Sequence, residues 1–200
     1  MSSDVNVVRA AESDAEVITT ILSTGFQQDP VSSWLFPGDD DRARLHPLFF
    51  RPFVDMALAD GEIYTTDDRS GAALWLPVDV AAHGGEPDLG ELYEPILGPS
   101  YAARIAAFDE RSSANHPDWA DHVYLPFIAV RPDRFGRGIG TALMQDRLEA
   151  LDEQRVPTYL EASNRDSARL YERLGYKRLD RTTDMPDGPS LYPMWRAASA

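Results

Sequence analysis

The sequence predicts a single α/β domain, and three observations carry that prediction. The chain has 200 residues and 43% hydrophobic composition, enough for one proper core and too little for two large ones. Its hydrophobic pattern runs strand, helix, helix, hairpin, helix, then strand, turn, helix, strand, helix, hairpin. The C-terminal half therefore holds one βαβ unit, which should be right-handed.

Val5–Ala10, VNVVRA, reads as a first strand. Ser13 and Glu16 have the spacing of a capping box, and Val17, Ile18, Ile21 and Leu22 then recur at helical spacing to about Gln28. Asp29-Pro30 ends that helix, and DPVSSWLFPG reads as a loop or short turn with exposed aromatics. Arg42 to about Ala59 is a second helix, with breaks or kinks expected at Pro47 and Pro52. Glu62–Thr66 and Gly71–Leu76 form a hairpin around Asp67-Asp68. Pro77–Ser100, rich in Gly and Pro, reads as an irregular insertion leading into a helix near Tyr101–Asn115. HVYLPFIAV is a strong apolar strand, Gly138–Glu153 an amphipathic helix, TYLEA a short strand and Ser167–Leu174 a short helix. Tyr176–Met185 and Leu191–Arg196 close the chain as a hairpin.

Composition removes several function classes. There is no Cys, so a disulfide framework, a thiolate nucleophile and thiolate-bound zinc are excluded. His46, His83, His116 and His122 show no metal-ligand spacing, so no metal is expected. No apolar run approaches the roughly 20 residues of a membrane span, and MSSDVNVVRAAESD lacks a signal pattern, so a cytoplasmic protein is expected. The net charge of −14 and pI of about 4.6 argue against nucleic acid as a partner. Between Arg131 and Arg181, 11 basic against 9 acidic residues leave +2, so the rest of the chain carries −16. That split allows ordinary solvated surface, or an anionic ligand on one side and a cationic one on the other.

The most informative stretch is PFIAVRPDRFGRGIGTALMQ, Pro126–Gln145. An apolar strand meets a turn with Gly136, Gly138 and Gly140 in alternation, and a helix follows. Such glycines let backbone approach a ligand, and the helix N-terminus offers free N–H groups to an anion. A phosphate-binding GxxxxGK[ST] loop fails because no Lys follows. A dinucleotide fingerprint comes nearer, with Glu161 about 20 residues on. However, its third glycine position is Thr141, and five residues separate Val130 from Gly136.

Val130-Arg-Pro-Asp-Arg-Phe-Gly-Arg-Gly-Ile-Gly resembles the acetyl-CoA signature of the GNAT N-acetyltransferases, Q/R-x-x-G-x-G/A after a strand. The family's Gln or Arg falls at Phe135, where the backbone N–H remains to donate. NRDSARLYERLGY, Asn164–Tyr176, is similar to the later segment N-x-x-A-x-x-L-Y-x-x-x-G-F, with Ser167 in place of Ala. The tail is similar to puromycin N-acetyltransferase-like members of that family. The resemblance implies a mixed, largely antiparallel sheet of about seven strands, helices on both faces and a splayed central strand pair. It implies acetyl-CoA as co-substrate and one acetyltransferase domain over 1–200, with 1–120 mainly acceptor side and 121–200 the acetyl-CoA-binding core.

Carried onto this chain, the resemblance places the pantetheine arm along Ile128, Ala129 and Val130. It places the pyrophosphate on Phe135, Gly136, Arg137, Gly138, Ile139, Gly140 and Thr141, with Asn164 and Ser167 nearby. Tyr171 takes the general-acid position. Pro126 inside the strand calls for a bulge or lost pairing. Glu161, at the end of TYLEA, is the first candidate for the base, with His122 next and a water chain as the remaining alternative. Asp29, Trp34 and Phe36, with His122, are the expected acceptor-side residues, a carboxylate and aromatics around a cation. The expected partner is a small amine, cationic or aromatic, bound by a monomer or homodimer. An acetyl-CoA-binding sensor or assembly module without turnover is the alternative from another class.

Overall fold

A computed structural model of the chain describes residues 5–82 and 88–199. His83 and the start of the N-terminal segment lie outside these residues. β1 (Val7–Arg9), α1 (Ala15–Gly25), α2 (Pro30–Leu35) and α3 (Asp39–Asp60) come first. β2 (Glu62–Thr66), β3 (Gly71–Val78), α4 (Leu89–Leu97) and α5 (Pro99–Asn115) follow. The second half comprises β4 (His122–Val130), α6 (Ile139–Glu153), β5 (Thr158–Ala162) and α7 (Arg165–Arg173), then β6 (Lys177–Arg178), β7 (Thr183–Asp184) and β8 (Ser190–Arg196).

The strands form one sheet in the order β1-β2-β3-β4-β5-β8-β6, with β7 also paired to β8. Every pairing is antiparallel except β4 with β5, the parallel pair that α6 connects. This is a mixed, largely antiparallel sheet, as the resemblance implies.

Alternation along β3 shows how the sheet is covered. Ala72 and Leu74 join a core with α1, α3, α4 and α5. Ala73 and Trp75 join a second core with α6 and α7. A strand covered on both faces reads as an unbroken apolar run, as GAALW does.

Four local expectations are corrected. The N-terminal cap is built by Asp14, whose carboxylate accepts the Ala11 N–H at 3.0 Å, and not by Ser13 with Glu16. DPVSSWLFPG is not a loop: Asp29 caps α2 and Pro30 opens it, a start signal as much as a stop signal. α3 runs unbroken through Pro47 and Pro52. The carbonyls that lose N–H partners there belong to Ala43 and Leu48, both exposed, so water can replace the lost bonds. Part of Pro77–Ser100 is regular, since β3 reaches Val78 and Asp88 caps α4.

Candidate active site

The glycine turn sits where β4 gives way to α6. The Arg131 N–H donates to the Ser70 carbonyl at 2.8 Å, which turns the chain off the strand end. Gly136 and Gly138 then take φ of +74° and +79°, in the left-handed region that favours glycine. A Cβ at either position would meet nothing within 4 Å. Conformation, not crowding within the protein, requires glycine there. Gly138 caps α6, and its carbonyl accepts the Ala142 N–H at 3.0 Å. The amides of Ile139, Gly140 and Thr141 therefore have no intrahelical acceptor and are open to an anion. Arg134 and Arg137 stand beside it, and Phe135 is 60% exposed at its rim.

The strand leading to this turn is open on one side. β4 pairs with β5 only at Val123–Thr158 and Tyr124–Tyr159. From Leu125 onward the two strands part. On the other side, the register slips between Leu74–Phe127 and Leu76–Tyr124, so β4 carries one extra residue beside Pro126. That bulge removes the conflict between proline and a central strand.

The split opens into a cavity of about 1030 Å³. One end is the glycine turn and the edge of β4. α7 supplies Tyr171, 8% exposed, on the cavity wall. Asn164 caps α7, accepting the N–H groups of Asp166 and Ser167 at 3.1 and 2.8 Å, and the Ser167 hydroxyl donates to the Asn164 carbonyl at 2.9 Å. The other end is apolar. Phe26, Phe50 and Phe53 surround Phe127 at ring-centroid distances of 5.8, 5.2 and 4.9 Å, with Phe49 behind them.

Asp29, Asp60, Asp109 and Glu161 line this cavity, and the carboxylates of Glu161 and Asp29 accept hydrogen bonds from neighbouring groups. Glu161 on β5 accepts the Ser112 hydroxyl on Oε2 and the Thr183 hydroxyl on Oε1, the latter at 2.9 Å. Burial raises its pKa against these donors. Asp29 accepts the Val31 and Ser32 amides on Oδ1 at 2.9 and 3.0 Å. Burial raises its pKa too. The Tyr171 phenol is pushed above its ordinary value, first by burial and then by the Asp29 charge.

The cavity thus gathers Ile128, Ala129, Val130, Phe135–Thr141, Asn164, Ser167, Tyr171, Glu161 and Asp29. It does not gather Trp34, Phe36 or His122. Trp34 donates its indole N–H to the Pro186 carbonyl at 3.0 Å, with Arg104 stacked 5.6 Å from its ring. Phe36 is fully buried among His46, Phe49 and Tyr101. His122 is buried, with Nδ1 2.9 Å from the Ala120 carbonyl and Nε2 3.0 Å from Nε2 of His116. His116, not His122, reaches the cavity wall.

The aromatic wall was hidden in the sequence. FFRPF, Phe49–Phe53, carries the i, i+1, i+4 spacing that puts phenyls on one helix face, but its partner Phe127 comes from a strand 74 positions later. Ser112 and Thr183 had no signal at all. Among the described residues, no three His, Asp or Glu converge on a metal position, and no helix is long and apolar enough to cross a membrane.

Residues 103–176 match the acetyltransferase (GNAT) family. A mycothiol acetyltransferase from Thermomonospora curvata is 29% identical over 150 residues, covering 66% of this chain and 50% of the relative. One from Streptomyces coelicolor is 31% identical over 122 residues, covering 52% of this chain and 38% of the relative. The chain thus spans about half, or less, of the length of these curated relatives. A solved structure from Corynebacterium glutamicum, described as histone acetyltransferase HPA2 and related acetyltransferase, is 25% identical with a TM-score of 0.74. That alignment covers 100% of this chain and 98% of that one. Arylalkylamine N-acetyltransferase 2 from Aedes aegypti, 15% identical, shares the fold with a TM-score of 0.71, over 98% of this chain and all of that one. Residues 103–176 are thus similar to the GNAT acetyltransferases, and the whole chain shares the fold of these solved structures. These curated relatives are mycothiol acetyltransferases, and a special likeness to puromycin N-acetyltransferase is not among these findings.

Proposed function

We propose that this protein transfers acetyl from acetyl-CoA to the amine of a small acceptor, cationic and attached to an apolar or aromatic body. The observation that carries the proposal is one cavity that joins four features. These are the open α6 N-terminus, the unpaired edge of β4, the Tyr171 phenol, and a carboxylate-bearing chamber walled by phenyl rings. The free amides of Ile139, Gly140 and Thr141 suit a pyrophosphate. The edge of β4 suits an extended arm that hydrogen-bonds as an added strand.

An amine attacks a thioester only as the free base, so the ammonium must first lose a proton. Attack on the carbonyl carbon then builds a tetrahedral oxyanion, and the C–S bond breaks with its electron pair on sulfur. Tyr171, held protonated by burial and by Asp29, supplies the proton that sulfur takes. The chain has no cysteine, so transfer proceeds directly in a ternary complex and not through an acetyl-cysteine. Residues 1–120 then form the acceptor side of one domain, and 121–200 the donor side. The protein acts in the cytoplasm as a monomer or homodimer.

The phenyl wall and the acidic first half favour an amine on an apolar body over an acidic amino acid, in line with the puromycin N-acetyltransferase-like tail. Thiol release from acetyl-CoA, followed across a panel of amines, tests this. Aromatic or apolar amines should exceed acidic amino acids by at least about tenfold in kcat/KM, with the margin shrinking as salt rises. An acetyl-CoA-binding protein without turnover would release no thiol with any of them.

A further inference from the structure

We infer that Asp29 is the proton acceptor of this transfer, working opposite Tyr171, and that Glu161 is a structural carboxylate. The inference rests on the acetyltransferase reading above.

Placement is the first argument. α1 ends directly on β4: a Cβ on Gly25 would stand 2.7 Å from the Cβ of Ala129 and 3.1 Å from the Val130 carbonyl oxygen. Asp29 follows four residues later, in the elbow between α1 and α2, and lines the cavity. The elbow is therefore carried by the strand along which the donor lies.

Coordination is the second. Both α2 amides bond to Oδ1 of Asp29, so neither engages Oδ2. The Ser163 hydroxyl supports the ionised form beside it. Glu161 is arranged differently, with one hydroxyl on each oxygen, from α5 and from β7. That arrangement ties helix, hairpin and β5 together. Each hydrogen bond a carboxylate accepts favours its ionised form, and the two on Glu161 also fasten separate elements to one another.

Coupling to the acid is the third. Asp29 is the charge that acts on the Tyr171 phenol. Asp60, Asp109 and Glu161 also line the cavity on the acceptor side, and Arg134 and Arg137 line it at the glycine turn, with His116 and Tyr124 between. None of these is a source of the Tyr171 shift. Asp29 first takes a proton from the ammonium and loses its charge. The field that held the phenol protonated falls away, and Tyr171 becomes a better donor when sulfur needs the proton. The C–N bond forms and the C–S bond breaks with its pair on sulfur. Tyr171 then protonates sulfur, and the remaining proton of the acylated nitrogen returns to the Tyr171 oxygen. Asp29 releases its proton to solvent, so one ammonium and one thioester give one amide, one thiol and one proton.

Asp29→Asn separates the roles, because Asn caps a helix as well as Asp does. The acceptor is the best amine of the panel. At pH 7, kcat/KM for that amine should fall by about 10²-fold or more and recover as pH rises, since free amine then needs no base. Acetyl-CoA affinity should stay within about twofold of wild type. Glu161→Gln should lower the melting temperature yet keep kcat within about tenfold and leave the pH profile parallel to wild type. If Asp29→Asn fails to fold, Asp29→Ser keeps a cap and reads the same loss. A large kinetic loss in Glu161→Gln with near-normal turnover in the Asp29 variants would overturn the assignment. No thiol release by the wild type with any amine would instead remove the acetyltransferase reading, and this inference with it.

Discussion

Gly25 of α1 and Ala129 of β4 are packed so closely that no side chain fits between them. A Cβ on Gly25 would lie 2.7 Å from that of Ala129, well inside van der Waals contact. Gly25→Ala must therefore push the helix off the strand. It should cost roughly 1–3 kcal/mol of stability, as overpacked positions do. A urea midpoint equal to wild type would show that the two elements yield freely.

The glycines of the turn should separate by sign. Gly138 holds φ of +79°, so Gly138→Ala should lose about 1 kcal/mol or more from backbone strain. Gly140 lies in the first turn of α6, where an added Cβ finds ordinary contacts at 3.9 Å from Leu170 and Val130. Gly140→Ala should keep or raise stability, by at most about 1 kcal/mol. The same methyl would crowd a ligand on the free amides, so acetyl-CoA binding should weaken. Thermal melts with and without acetyl-CoA separate the two effects.

Tyr171→Phe keeps the ring in its pocket and removes only the hydroxyl. The turnover number should drop by about 10²–10⁴-fold with acetyl-CoA affinity nearly unchanged. The wild-type phenol lies above its ordinary value, so it stays protonated throughout the physiological range. Single-turnover rates equal to wild type would take Tyr171 out of the chemistry.

Phe53 and Phe36 should behave oppositely. Phe53 lines the cavity 4.9 Å from the Phe127 ring, so Phe53→Ala should change the ranking of amines. Phe36 is buried away from the cavity, so Phe36→Leu should cost roughly 1 kcal/mol and leave that ranking unchanged. Amine profiles normalised to a common acceptor make the comparison.

Arg196 grips Asp152 through two N–H bonds of 2.7 and 2.5 Å. These bonds hold the carboxyl down to about 2. A carboxylate lowered by folding adds stability above its unfolded value near 4, and that stability is lost as pH falls toward 2. Asp152→Asn should therefore be less stable than wild type at pH 7, by roughly 1–2 kcal/mol. The gap should narrow on acidification. Denaturation at pH 7, 4 and 2.5 measures it.

The glycine-turn half of the cavity was legible in the sequence because its signals are local. Gly136 and Gly138 answer to backbone angles, Asn164 to a helix cap, and Gly138–Glu153 to helical periodicity; each works within a few residues and reads the same in any fold. The apolar run of β4 announced a central strand, and Pro126 announced its bulge. The phenyl-walled half was not legible. Asp29 reads as a helix stop until α2 is seen to begin there. Trp34 and Phe36 have the composition of a binding loop, yet the indole finds Pro186 and the phenyl finds the core. Phe53 meets Phe127, and Glu161 meets Ser112 and Thr183, across 74, 49 and 22 residues of chain. Sequence by itself determined the α/β order, the glycine turn and the tyrosine on α7. Tertiary structure alone decided which aromatics and carboxylates share the cavity, because burial and contact between elements depend on how the whole sheet and its helices close over one another.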